Sequence, residues 1–210
     1  MITVACVLRS GGRYDTSWVS RLRRGVASHM QAPHRFVCLS DMDVECERFD
    51  LIEGWPGWWA KIELFRPGLF GGPVLYFDLD TIITGPLDGL VPGQGFRSVK
   101  MWGARAGDIC STSMAWSGDF SVIHRRFGAE PVRWMAEYDR SMSDGRIGDQ
   151  AFIEDVLEAN GVTIDYFPGL SVASYKDHCT RSVPEGVSAV AFHGRPKPDE
   201  IRSGWVAAAW

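Results

Sequence analysis

The sequence predicts an α/β fold with a mostly parallel central sheet flanked by helices, and three observations carry that expectation. Short apolar runs recur at residues 2–8, 35–39, 74–77 and 187–192, the pattern of strands buried on both faces. Segments of helical spacing alternate with them, as in Trp18, Val19, Leu22 and Val26, and again in Phe152, Ile153, Val156 and Leu157. Polar clusters follow several of the runs, and open α/β sheets bind ligands outside the carboxyl ends of their strands.

Taken in order, residues 2–8 read as a first strand and Arg9-Ser10-Gly11-Gly12-Arg13-Tyr14-Asp15 as a Gly-rich turn. A helix starts near Thr16 with Asp15 or Thr16 as its N-cap, and Arg21, Arg23 and Arg24 form its solvated face. Strands are expected at 35–39 and 49–52, and a helix at 58–66 after Gly54-Trp55-Pro56-Gly57. The run Val74-Leu75-Tyr76-Phe77 enters Asp78-Leu79-Asp80-Thr81, bounded by Gly71-Gly72-Pro73 and Gly85-Pro86. A long turn at 85–95 leads to strands at 97–102 and 113–117, split by Arg105-Ala106-Gly107-Asp108. Helices follow at 119–127 and 131–141, the latter with Val132, Met135 and Tyr138 on one face. A further helix is closed by Asn160-Gly161, and Asp149 would cap its start. Strands at 162–167 and 187–192 complete the reading.

At 210 residues the chain is expected to be one domain with a sizeable core. Its net charge of −4 excludes a basic nucleic-acid footprint. No apolar run approaches membrane-spanning length, and no positive segment precedes the first apolar run, so neither a transmembrane segment nor a signal peptide is expected. Five dispersed cysteines without a C-x-x-C pair (Cys6, Cys38, Cys46, Cys110 and Cys179) fit free thiols in a cytoplasmic protein. Nine tryptophans are many, and such an excess also suits stacking on sugar faces. Trp55, Trp58 and Trp59 are the clustered ones, with the core as their simpler destination.

Two Asp-x-Asp pairs occur, Asp41-Met42-Asp43 and Asp78-Leu79-Asp80. With 16 Asp in the chain the spacing alone says little, and the Ser40-Asp41 pair suits a turn or cap equally well. Asp78 and Asp80 differ in context, because they end a buried strand. Two like charges there are costly unless a cation joins them. Asp78 and Asp80 are therefore candidate ligands of a divalent metal. His193 is a candidate third ligand, since neutral imidazole suits Mn²⁺ beside carboxylates. Lys197 could neutralise a phosphate and Lys61 could place a point charge near one. No G-x-G-x-x-G or G-x-x-x-x-G-K-[ST] is present, so a dinucleotide or P-loop reading is unsupported. A loop that grips a nucleotide by base and ribose stays open, with Tyr14 either its stacking side chain or simply closing the turn.

These segments together resemble the GT-A glycosyltransferases of the glycogenin-like family 8, which includes lipopolysaccharide galactosyltransferases. The likeness rests on Trp59-Ala60-Lys61-Ile62-Glu63-Leu64-Phe65, Leu75-Tyr76-Phe77-Asp78-Leu79-Asp80-Thr81, Gly85-Pro86-Leu87-Asp88-Gly89-Leu90, Gly148-Asp149-Gln150-Ala151-Phe152 and Phe192-His193-Gly194-Arg195-Pro196-Lys197-Pro198. The resemblance implies a GT-A domain with a Rossmann-like sheet and a nucleotide-sugar donor, UDP-linked, transferred with retention. It implies Mn²⁺ (or Mg²⁺) on Asp78, Asp80 and His193, and Asp149 with Gln150 facing the reacting sugar. Donor contacts would come from Leu8, Arg9, Tyr14, Lys61, Asp78, Leu79, Gly194 and Lys197. Two departures stand out: Ser111-Thr112-Ser113 replaces the family's usual Asn-containing stretch, and His193 and Gly194 are adjacent where the family spaces them.

The acceptor is open to carbohydrate, lipid-linked or protein hydroxyls. Two other readings compete. A haloacid-dehalogenase-like phosphatase also carries Asp-x-Asp after an apolar strand, but near the N-terminus and followed by Gly-Thr. A non-catalytic nucleotide-sugar or glycan-binding protein would keep the fold without the turnover.

Overall fold

A computed structural model describes residues 1–91, 93–102, 108–139 and 147–210. In chain order the elements are β1 (Ile2–Leu8), α1 (Thr16–His29), β2 (His34–Ser40), β3 (Glu47–Asp50), a 3₁₀ segment Gly57–Phe65, β4 (Val74–Phe77) and β5 (Thr81–Ile83). A 3₁₀ turn Asp88–Leu90 precedes β6 (Gly95–Lys100), β7 (Ile109–Ser117), α2 (Val122–Ala129), α3 (Pro131–Tyr138) and α4 (Gly148–Ala159). The chain closes with β8 (Ile164–Tyr166), β9 (Val172–Ser174), α5 (Tyr175–His178), β10 (Ala189–Ala191), a 3₁₀ turn Pro198–Glu200 and α6 (Gly204–Ala209).

Seven strands form one sheet in the order β3-β2-β1-β4-β7-β6-β8. Pairings are parallel except those of β7, which runs antiparallel to β4 and β6. The mostly parallel sheet flanked by helices is thus the architecture the apolar runs predict. Because successive side chains point to opposite faces, each central strand feeds two cores. Val4, Cys6, Leu8, Leu75 and Phe77 pack with Trp18, Val19, Leu22 and Val26 of α1. Ala5, Val74, Tyr76, Met114 and Trp116 pack on the other face with Trp59, Phe127 and Phe152. A smaller sheet, β5-β10-β9, carries a third cluster around Val190 and Phe192.

The junction of the two sheets positions everything that follows. β2 and β3 lie on one side of β1 and β4 lies on the other, so the gap between β1 and β4 is a topological switch point. Asp78-Leu79-Asp80 leaves β4 of the large sheet and enters β5 of the small one. β10 runs antiparallel to β5 with Ala191 opposite Thr81, and the Phe192 amide donates to the Asp80 carbonyl at 3.2 Å. The strand that ends before His193 is thereby fixed against the Asp pair.

Several boundaries differ from the sequence reading. Asp15 does cap α1, accepting from the Ser17 amide at 2.9 Å. The helix expected at 58–66 is a tighter 3₁₀ segment, entered from Pro56 and buried continuously from Trp59 to Phe65. β3 starts before the expected 49–52, and β7 starts at Ile109 rather than 113, because the polar Ser111-Thr112-Ser113 is buried inside the fold. On α3 the buried pair is Trp134 and Tyr138, with Val132 exposed. Asp149 is not a cap: Ile147 precedes α4, and the Asp149 carboxylate turns inward. Arg105-Ala106-Gly107 and the end of the expected 131–141 helix lie outside the described residues. Among the described residues, no helix is long and apolar enough to cross a membrane.

Candidate active site

A cavity of about 600 Å³ opens at the switch point, within the range typical of small-molecule sites. Leu8 reaches it from the end of β1, Arg9 and Tyr14 from the turn that follows, Lys61 from the 3₁₀ segment, and Asp78, Leu79 and Asp80 from the turn after β4. Asp149 and Gln150 come from the start of α4, and His193, Gly194 and Lys197 from the loop after β10. All twelve residues singled out from the sequence therefore line one cavity. Leu8 and Leu79 are buried, at 1% and 3% exposure. Asp78-Leu79-Asp80 forms the turn between β4 and β5, closed by the Thr81 amide donating to the Asp78 carbonyl at 3.1 Å, with Leu79 packed in the core and both carboxylates bordering the cavity.

The charged groups form two linked clusters. Lys61 Nζ lies 3.1 Å from Asp78 Oδ1 and 2.9 Å from Asp149 Oδ2, and it also donates to the Ser111 hydroxyl at 3.0 Å. Ser111 in turn donates to Asp149 at 2.7 Å. Tyr76 donates its hydroxyl to Asp78. On the other side, Lys197 pairs with Asp80 and donates to the Phe192 carbonyl at 2.7 Å, while Tyr14 donates to the same Asp80 oxygen at 2.8 Å. Arg13 bridges to Asp199 at 2.7 Å, tying the turn after β1 to the loop after β10.

Burial sets the protonation of these groups. Desolvation, aided by Asp80 and Asp149, pushes Asp78 up to about 6 despite the opposing pull of Lys61. Desolvation also works against the Lys61 ammonium, but Asp149 and Asp78 override it and hold Lys61 protonated well beyond the ordinary range. Burial and the Asp80 charge raise Tyr14, so it stays a neutral donor. Burial, with Lys176 and Lys197 nearby, lowers His193 and keeps it a neutral imidazole at pH 7.

Two carboxylates and a neutral imidazole border one cavity, donors of the kinds that divalent cations take. The three are not gathered as a ready set. His193 Nε2 sits 2.8 Å from the Ser174 hydroxyl, with its ring stacked on Trp102, and the carboxylates are held by the two lysines. Among the described residues, no three His, Cys, Asp or Glu side chains converge as a metal cluster. Tyr14, expected as a free stacking face, packs its ring against Trp18 at 4.7 Å and spends its hydroxyl on Asp80.

Ser111 and Tyr76 are among the cavity residues to which the sequence gave no role, and Trp58, for which the core was the simpler destination, borders the cavity instead. Ser111 has one cue, a polar triplet beside an apolar strand end, and gains its meaning from Lys61 and Asp149 across the fold. The second Asp pair goes elsewhere. Asp41 accepts from the Ser10 amide and hydroxyl at 2.7 and 2.6 Å, and Asp43 is an exposed partner of Arg48.

No family model matches this sequence, and no curated protein matches it. Solved structures do. The galactosyltransferase LgtC, in complex with donor and acceptor sugar analogs, aligns at a TM-score of 0.64 and 14% identity, over 99% of this chain and 91% of its own. An active-site mutant of LgtC aligns at 0.64 and 13% identity, over 93% and 89%. The apo form of the glycosyltransferase GlyE from Streptococcus pneumoniae gives 0.59 and 13%, over 93% of this chain and 55% of its own. Over nearly its whole length, this chain has the GT-A glycosyltransferase fold.

Proposed function

We propose that this protein is a metal-dependent glycosyltransferase that takes a sugar from a UDP-sugar, with retention of configuration, and acts as a single catalytic domain. The observation that carries the reading is the pairing of Asp78 with Lys61 and Asp80 with Lys197 at the switch-point cavity, with Asp149 across from them. Two ammoniums face three carboxylates there. A diphosphate entering this cluster is repelled unless cationic charge is added. Mn²⁺ or Mg²⁺, held by Asp78, Asp80 and a reoriented His193, would supply that charge and stabilise the departing diphosphate.

The chain's own residues do the rest. Lys197, released from Asp80, reaches the phosphates as a point charge and favours the bond-breaking transition state, where charge grows on the leaving group. Arg9 and Gly194 border the same space, and Gly194, at φ +66°, allows the loop to approach without a side chain. Asp149, fixed by Lys61 and Ser111, faces the sugar's reacting side together with Gln150. All three cavity carboxylates are already paired, so none is positioned as a free base to activate an acceptor hydroxyl, which fits retention better than inversion. The same pairing leaves neither Asp78 nor Asp80 as the free nucleophile a phosphatase requires.

The test is the melting temperature with UDP, with and without Mn²⁺. A ligand at a hundred times its Kd adds about 2.7 kcal/mol. The expected result is a shift that needs both components and disappears in Asp80→Asn. No shift with any nucleoside diphosphate would overturn the reading.

A further inference from the structure

We infer that Trp58 is the stacking platform of a pyranose-binding acceptor subsite, so that the group receiving the sugar is itself a sugar. This deepens the glycosyltransferase reading and rests on it. The three clustered tryptophans part company in the fold. Trp55 and Trp59 are buried at 6% and 2%, in ring contact with Phe127, whereas Trp58 is 51% exposed. It is the one exposed tryptophan of the nine, all of which lie among the described residues. Among those residues Trp58 makes no ring contact or hydrogen bond, while the buried indoles of Trp59 and Trp134 each donate one.

Its position is what gives the exposure meaning. Ile52 and Val132 are more exposed, at 65% and 75%, but neither borders the cavity; Trp58 does, beside Pro56, Asp149 and Gln150. The indole lies against the backbone at the start of α4, where a methyl on Gly148 would come within 3.2 Å of Nε1. Gly148, at φ +72°, is followed directly by the Asp149-Gln150 pair assigned above to the reacting side. A flat, rigid apolar face is thus presented next to the residues that flank the transferred sugar. The axial C–H face of a pyranose matches such a surface, and its hydroxyls remain free for Gln150 and for the indole N–H, a donor without an acceptor among the described residues. A serine hydroxyl on a peptide or a lipid phosphate has no comparable flat apolar face.

The experiment labels the full chain with 5-fluorotryptophan, assigns the Trp58 resonance through Trp58→Phe, and titrates methyl β-glucopyranoside, methyl β-galactopyranoside and methyl α-mannopyranoside in the presence of UDP and Mn²⁺. We expect at least one glycoside to move the Trp58 resonance selectively. Its Kd should rise about tenfold in Trp58→Ala, equivalent to about 1.4 kcal/mol, and far less in Trp58→Phe. The UDP-dependent melting shift should persist in both variants. A silent Trp58 resonance with all three glycosides in protein that binds UDP overturns the subsite and leaves the donor reading standing. Unchanged glycoside affinity in Trp58→Ala overturns it equally. A glycoside response at Trp58 in protein that shows no UDP shift keeps the sugar subsite and removes the donor reading.

Discussion

Two Asp-x-Asp pairs follow strands of the same sheet, and the fold treats them in opposite ways. Asp41 and Asp43 follow β2, one strand in from the edge; Asp78 and Asp80 follow β4, next to the reversal of strand order. Asp43 is fully solvated at 103% side-chain exposure, so its ion pair with Arg48 contributes little. Asp80 is at 7% and carries a lysine and a tyrosine hydroxyl. Even the titration diverges. Desolvation opposes the two Ser10 hydrogen bonds at Asp41, and the bonds win, holding that carboxyl low, whereas burial pushes Asp78 up. The same motif borders a cavity only where topology brings four other segments to meet it.

The largest effects should come from the buried cations. Lys61→Met leaves the Asp78 and Asp149 carboxylates facing each other without their cation, and breaking such a pair costs about 3–5 kcal/mol. Chemical denaturation should show that loss, while Arg48→Met, beside Asp43, should stay within about 0.5 kcal/mol of the parent. Equal losses at the two lysine and arginine positions would erase the contrast. Next comes Asp80→Asn. Removing one preorganised electrostatic contact costs about 10²–10³ in rate, so UDP-sugar turnover should fall by that factor with the fold intact by circular dichroism. Asp43→Asn should turn over normally. A normal rate in Asp80→Asn would show that the two motifs are alike after all.

A smaller effect separates the pairs by sign. Asp78 binds its proton more tightly in the folded chain than in the unfolded one, so metal-free stability falls as pH rises from about 4 to about 6 and then levels. Asp78→Asn removes that fall. Its stability relative to the parent should therefore grow with pH across this window, by on the order of 2 kcal/mol. Asp41 has the opposite sign: its lowered carboxyl adds stability above the unfolded range near 4, and that stability is lost as acid protonates it. Denaturant midpoints at pH 4.5 and 7.5 for Asp78→Asn and Asp41→Asn check this. Parallel pH profiles would contradict the burial difference.

What was legible in the sequence was whatever a local pattern could encode. The apolar run of β1, the Asp15 cap and the period of α1 depend on neighbours a few residues apart, and they stand where they were expected. The Asp78–Asp80 cluster was legible because a buried strand ending in two carboxylates is costly without a partner. The partners were harder. Asp149 looked like a cap because a local capping role is always available at a helix start, whereas its bonds to Lys61 and Ser111 come from remote segments. β9 has three small or branched residues, and its only signal is the pairing with β10, which no periodicity reveals. The tryptophan cluster was divided by the entry into the 3₁₀ segment, where three residues per turn rotate Trp58 outward and Trp59 into the core.

The smallest effect tests whether the lesser Asp pair does anything for the site. Asp41 ties Ser10, in the turn after β1, to the end of β2, and that same turn carries Arg9 and Tyr14 to the cavity. Asp41→Ala removes two hydrogen bonds at an exposed position and should cost about 1 kcal/mol of stability. Its functional consequence should be confined to binding: a turn that samples more conformations presents Tyr14 and Arg9 less often in the competent geometry, which weakens the ligand by the lost fraction. UDP affinity should fall about two- to fivefold, the scale of a population shift of less than about 1 kcal/mol, with turnover at saturating donor unchanged. Asp41→Asn, whose amide oxygen still accepts from the Ser10 amide, should recover most of that affinity. A turnover defect as deep as that of Asp80→Asn would instead place Asp41 in the chemistry and end the distinction between the two pairs.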